Sequence, residues 1–440
     1  MIGWSFTGYL AEKKMCIVSY EVFKTFLPCS EFELSLNYVI FVFKFISNQF
    51  ISMKIHSFSY WDKDNNREVE RVYLKDLTLL VGASGVGKTE ILHAIRNIGQ
   101  IAAGASLSGV EWSMDFSIGQ DNYIWEGRFK SLEKNELINL WLANGSNGDK
   151  WYTKPMLIYE KIIMNDDEIV KRKGVGLTFK GEESPFQIKE EQSVINLISD
   201  PLIKKIANEF KKIIYSDYTN SVQGFLPNNY EKLIDKNILN KYKNIDNLRN
   251  SREDIRAKLF WVHEKESEIF EDIKEDFISI FSQVTHLKVD TLDILQSSNT
   301  DALLRVSPFI QFKEKGMKEW ATMGPMSAGM YRTLKHVMEL YLSPEGTIIL
   351  IDEFENSLGV NCIDELTTIM KGAVGRIQFI ITNHHPYIIN NIHYKNWKIV
   401  TRNGGKVSTQ DADDFMGKSK HEAFIQLINH PSYKTGKSYA

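Results

Sequence analysis

Apolar positions change period several times along this chain. Residues 72–81 close on Leu77-Thr78-Leu79-Leu80-Val81, a run of buried-strand length, and beyond a glycine-rich stretch Ile91, Leu92, Ile95 and Ile98 recur at helical spacing from Lys88. From Trp112 to about Phe179 the pattern becomes alternation, with Trp112, Met114, Phe116 and Ile118 on one face and Tyr123, Trp125 and Phe129 on another. Asn165-Asp166-Asp167 reads as a turn between two further strands of an antiparallel lobe. Over 194–285 the spacing is helical again: Leu202, Ile203, Ile206, Phe210, Ile213 and Ile214 form one stripe, and Ile269, Ile273, Phe277, Ile280, Phe281 and Val284 another, with Pro227-Asn228-Asn229 between them. Sustained heptads are missing, so helices packed on a head fit better than a long coiled coil. Two strands are expected at 287–295 and 303–312 and a helix at 330–342, then buried-strand runs at 347–351 and 377–381. Apolar runs separated by helices predict a parallel sheet covered on both faces, an α/β fold.

The glycine-rich stretch gives that fold a chemistry. Gly82-Ala83-Ser84-Gly85-Val86-Gly87-Lys88-Thr89 fits G-x-x-x-x-G-K-[ST], between a strand and a helix as a phosphate loop requires. Its glycines let successive N–H groups converge on phosphate at the positive end of the helix. Lys88 would reach the β- and γ-phosphate oxygens and the Thr89 hydroxyl would ligate Mg²⁺. The strand 347–351 ends in Asp352 and Glu353. An acid pair directly after a buried strand is costly unless something binds it, and phosphate-bound Mg²⁺ supplies the partner. Asp352 would hold the metal, directly or through water, and Glu353 would orient the attacking water. Upstream, Ser327-Ala328-Gly329 follows Gly324-Pro325-Met326 and opens a helix. Taken alone it is a capped helix, whose small residues would let an anion approach the N-terminus.

In their order, phosphate loop, Ser-x-Gly, Asp-Glu and a strand ending in Thr382-Asn383-His384, these motifs resemble the ABC-type P-loop ATPases. Asp352-Glu353-Phe354-Glu355-Asn356-Ser357-Leu358 and Thr382-Asn383-His384-His385-Pro386 look more narrowly like the OLD-like and AAA_15/AAA_21-type ATPases, over roughly residues 53–402. The resemblance implies an ATP- and Mg²⁺-dependent ATPase, possessing slow turnover if ATP acts mainly as a latch, that closes a homodimer or higher oligomer on its nucleotides. Ser327, Ala328 and Gly329 would contact the γ-phosphate held by the partner, His384 would be the switch histidine, and 356–359 would communicate across the dimer. Phe354 stands where proline is usual, Gly359 where ABC transporters carry aspartate, and His385 where serine is common, which leaves two histidines for the switch position. Gln187 and Gln192 are the candidates for a glutamine loop.

The implied organisation is an N-terminal extension (1–52), the first part of the head (53–111), the β lobe (112–193), a helical lobe (194–285), the second part of the head (286–402) and a tail (403–440). Residues 1–52 read either as an upstream in-frame extension or as a functional arm. Their apolar run 37–46 contains Lys44 and is far short of the roughly 18 residues a membrane span needs. Nor does Glu12-Lys13-Lys14 precede a signal-peptide core. Cys16, Cys29 and Cys362 form no C-x-x-C pair, which suits a reducing cytoplasm. A net charge of −3 provides no global basic field for nucleic acid. Many proteins of the resembled group serve phage defence (PARIS-, Septu- and retron-associated ATPases), where the ATPase governs an effector nuclease. Here only a short tail follows the last strand, so an effector would be a separate chain. The alternatives are a RecF- or SMC-like repair or chromosome ATPase and, less fitting given the large insertions, a transporter energy subunit.

Overall fold

The computed structural model describes residues 52–133, 136, 154–185, 187–216, 234–235, 237–294, 305–322, 326–356, 358–414 and 420–437. The apolar run 37–46, Pro227-Asn228-Asn229, Gly324-Pro325 and Ser357 lie outside them. The fold is mixed α/β: a head built on a parallel sheet carries an antiparallel lobe and a helical insertion.

Five parallel strands form its centre, in the order β10 (Ile213–Ser216), β15 (Thr347–Ile351), β16 (Ile377–Thr382), β3 (Leu77–Val81) and β17 (Trp397–Asn403). All five residues of β3 and of β15 are buried, because helices cover both faces. Alternation divides them: Leu79, Val81, Ile349 and Ile351 point into one core and Leu80, Ile348 and Leu350 into the other. The first core includes the insertion helices α6 (Ile255–Lys265) and α7 (Ser267–Ile280), with α8 (Ala328–Leu342), α9 (Val360–Ala373) and α10 (Pro386–Asn391). The second holds α1 (Lys88–Ala102), α3 (Pro201–Phe210) and, just before it, α2 (Val194–Leu197).

The antiparallel lobe is hydrogen-bonded to this centre. β17 pairs with β18 (Lys406–Asp411), β18 with β2 (Arg67–Tyr73), and β2 with β1 (Met53–Asp62). The path then runs outward through β4 (Val110–Ile118), β5 (Asp121–Phe129), β6 (Leu157–Met164), β7 (Asp167–Lys173), β8 (Gly176–Phe179) and β9 (Glu182–Glu183). The expected turn is the β6–β7 connection, where Asn165 and Asp166 take positive φ of 48° and 73°. Aromatic pairs hold the inner face: Trp112 meets Trp125 edge-on at 5.1 Å, and Phe210 of α3 seats against Trp125 at 5.1 Å. In the insertion, β12 (Val284–Ile294) and β13 (Arg305–Glu314) form an antiparallel pair.

One reading of the helical lobe is corrected. Ile213 and Ile214 belong to β10, aligned with Ile348 and Ile349, rather than to a helical stripe. The second stripe also ends early, since Phe281 caps α7 and Val284 starts β12. A short apolar run does not distinguish strand from helix by spacing, and at 213–214 the open edge of β15 decides.

Candidate functional site

β3, β15 and β16 end along one edge of the sheet, where parallel α/β sheets bind ligands, and the motif residues meet there. Leaving β3, the chain turns through Gly82 (φ 151°), Gly85 (φ 79°) and Gly87 (φ 101°) before α1 begins. Side chains are excluded at two of these by contact as well as conformation: a Cβ on Gly82 would lie 2.6 Å from Val400 O, and one on Gly87 2.5 Å from Val407 Cγ2. Lys88 is 5% exposed and folds back over the loop, donating to Gly82 O at 2.9 Å and Ala83 O at 2.8 Å. Burial pushes its pKa down to about 8, opposed by the carboxylates of Glu355, Asp352 and Glu353. Such a cation, caged by carbonyl oxygens at a helix N-terminus, suits a polyphosphate.

Thr89 Oγ1 donates to Asp352 Oδ1 at 3.1 Å, joining the loop to the end of β15. Thr382 also donates to Asp352 Oδ1, at 2.6 Å, while its hydroxyl accepts Glu353 N–H at 2.8 Å. One threonine thus fixes both acids. Tyr215, from β10, donates to Asp352 Oδ2 at 3.4 Å and lies 3.1 Å from His93 Nε2. Glu353 takes a left-handed φ of 47°, and its carboxylate accepts from Asn356 Nδ2 at 3.2 Å. A hydroxyl beside a carboxylate is a hard oxygen pair of the kind Mg²⁺ takes when phosphates and water complete its shell. Among the described residues no cluster of three or more His, Cys, Asp or Glu could cage a metal without such help.

Of the two histidines, His384 faces the site. Burial, and then the Lys88 ammonium, lower its pKa, which favours the neutral imidazole. Its backbone N–H donates to Glu355 Oε1 at 2.7 Å, and Asn383 Nδ2 holds Oε2 at 2.7 Å. Burial raises the Glu355 pKa. His385 instead caps α10, its Nδ1 accepting Tyr387 N–H at 3.3 Å. Phe354, at the position where proline was expected by resemblance, is fully buried with its ring 6.0 Å from His336 of α8.

Ser327 is not drawn into this cluster. It is exposed and caps α8, accepting Met330 N–H at 3.2 Å, and Ala328 and Gly329 begin that helix. Arg332 on the same helix is 3% exposed and does reach the site: its guanidinium donates to Asn356 O at 2.8 Å, Asp352 O at 2.9 Å and Glu353 O at 3.0 Å. Sequence reasoning missed Arg332, Tyr215 and the double role of Thr382. A charge inside the apolar run of α8 was the available signal, since a buried charge requires partners. Neither glutamine candidate joins the cluster. Gln187 is exposed, and Gln192 lies by Gly104, just past the end of α1 remote from Lys88.

Residues 183–390 match the family model described as "AAA domain, putative AbiEii toxin, Type IV TA system". Comparison with curated proteins returned no match. Solved structures that align with the chain include the SMC head bound to the C-winged helix domain of ScpA, at 13% identity and TM-score 0.39, covering 81% of this chain and 96% of that one. They also include an SMC head with an extended coiled coil bound to the C-terminal domain of ScpA, from Pyrococcus furiosus (12%, TM-score 0.42, covering 82% and 97%). A third is the SMC head domain from Thermotoga maritima (11%, TM-score 0.34, covering 81% and 98%).

Proposed function

We propose that this chain binds and hydrolyses ATP and uses the bound nucleotide to close a dimer that signals to a separate protein. The observation that carries the reading is the hydrogen-bonded chain Thr89–Asp352–Thr382–Glu353 beside a buried Lys88. Residues 82–89 would wrap the phosphates with their N–H groups, and Lys88 would exchange loop carbonyls for β- and γ-phosphate oxygens. Thr89 and Asp352 would hold Mg²⁺, which supplies positive charge to the phosphate oxygens when bound. Glu353, aimed by its left-handed backbone and by Asn356, would orient the attacking water, and neutral His384 would sense the γ-phosphate. Exposed Ser327 and the half-buried Ala328 and Gly329, at the start of α8, would meet the γ-phosphate of a partner copy.

The partner fits a defence role. The name of the matching family, a putative AbiEii toxin of a type IV toxin–antitoxin system, supports a chain that acts as the sensor or regulator of an effector in antiphage defence. No described helix is long and apolar enough to cross a membrane. Single-turnover hydrolysis by wild type and Glu353→Gln tests the chemistry; equal rates would sink it. Repeating it with the product of a neighbouring gene and with DNA separates an effector-coupled ATPase, stimulated by the protein, from a RecF- or SMC-like one, stimulated by DNA.

A further inference from the structure

β17 runs beside β3, with Ile399 aligned to Val81, and continues past the end of β3 along the phosphate loop. Arg402, near its far end, turns back onto that loop. Its Nη1 donates to Gly85 O at 3.1 Å, its Nη2 pairs with Glu90 Oε2, and its backbone N–H donates to Gly436 O at 2.7 Å. Glu90 directly follows Thr89 in the first turn of α1, and a Cβ on Gly87 would lie 3.5 Å from Glu90 Oε2. A carboxylate therefore stands against the outer wall of a loop built for polyanions. Its other oxygen, Oε1, is buried without a hydrogen-bond partner, so Arg402 is the cation that answers it. The Gly85 carbonyl shares a planar trans peptide with the Val86 N–H, and the two point in opposite directions. Holding the oxygen from outside turns that N–H inward. An N–H turned into a phosphate loop suits a phosphate oxygen.

We infer that Arg402 is a positioning residue for nucleotide: it sets the Gly85–Val86 peptide and cancels the charge of Glu90 beside the phosphates. This rests on the ATP-binding reading above. The arginine touches neither acid of the catalytic pair, so its effect falls on phosphate binding, for ADP and ATP alike.

The test measures the affinity of wild type, Arg402→Met, Glu90→Gln and the double variant for MgADP and MgATP, with thermal melting as a check of folding. Arg402→Met should weaken both nucleotides by about tenfold or more, because Glu90 is then uncompensated close to the phosphates. Glu90→Gln alone should bind at least as tightly as wild type. The double variant should regain a clear part of the lost affinity, which general damage to the fold would not produce. Arg402→Lys, which keeps the charge but not the two-armed contact, should fall between wild type and Arg402→Met, and with Glu90→Gln it replaces that series should Arg402→Met not fold. Unchanged affinity in Arg402→Met, or a double variant no better than the single one, overturns the assignment. Wild type that binds neither nucleotide would instead overturn the ATP reading itself.

Discussion

Replacing Arg332 separates the geometry of the proposed catalytic turn from its chemistry. The guanidinium holds three consecutive-turn carbonyls, those of Asp352, Glu353 and Asn356, from 3% exposure. A hydrogen bond to a charged group contributes about 1.5–3 kcal/mol, so losing three non-additive bonds amounts to roughly 3–6 kcal/mol. Set against a total stability of about 5–15 kcal/mol, Arg332→Ala is expected to melt early or to fold poorly. Arg332→Lys keeps a cation and one bond and is the informative variant. Glu353 sits at φ 47°, a left-handed conformation that costs a non-glycine residue about 1–2 kcal/mol. Thr382 and Arg332 together enforce it. With the clamp reduced, the turn relaxes for most of the time, and about 2 kcal/mol of relaxation corresponds to roughly 30-fold in rate. We expect Arg332→Lys to bind MgATP within about threefold of wild type, because the phosphate loop is untouched, and to turn over about 10- to 100-fold more slowly. Nucleotide affinity by titration calorimetry and steady-state phosphate release measure the two halves. Wild-type turnover would refute the reasoning, and so would a loss of affinity matching the loss of rate.

Four further outcomes are expected. Lys88→Ala should abolish detectable ATP binding in calorimetry, since the loop loses its own lysine, the cation placed to reach the β- and γ-phosphates; retained affinity would remove Lys88 from its role. Glu353→Gln should keep tight ATP binding and lose about 10²-fold or more in turnover, the scale for loss of a water-orienting base, with near-wild-type rates pointing to His384 instead. Before nucleotide is added, the Lys88 pKa of about 8 lies below its unfolded value, so this group costs the fold stability below pH 8 and that cost fades as pH rises above it. Phosphate should restore the ammonium, so ATP binding at pH 8 takes up about half a proton, since a group with a pKa of about 8 is already half charged there, seen as a binding enthalpy that differs between buffers of different ionisation enthalpy; identical enthalpies would contradict it. Ser327→Glu should bind ATP as a monomer yet fail to dimerise, and light scattering on a Glu353→Gln background that still showed an ATP-dependent dimer would rule out the trans contact.

How much of this was legible in the sequence follows from what each residue requires. The loop residues 82–89 need particular residue types at fixed spacing, because backbone N–H groups must converge and only glycine takes the φ seen at Gly82 and Gly87 without a clash. Asp352 and Glu353 announced themselves as charges at the end of a wholly buried strand. The parallel sheet was readable because every residue of β3, β15 and β16 is buried. β10 was not, since a four-residue strand has no period of its own and only the neighbouring edge of β15 determines its state. The contacts that aim the site were the least legible. Arg332 could be noticed as a charge within an apolar helix and Arg402 could not, and each spends part of its guanidinium on carbonyl oxygens, at Glu353 and at Gly85. Any residue in those places would offer the same oxygen, so no pattern of side chains marks the acceptor. A charge in an apolar helix therefore says that partners exist, and only the fold says that for Arg332 they are the carbonyls of the turn carrying Asp352 and Glu353, and for Arg402 the loop before Lys88.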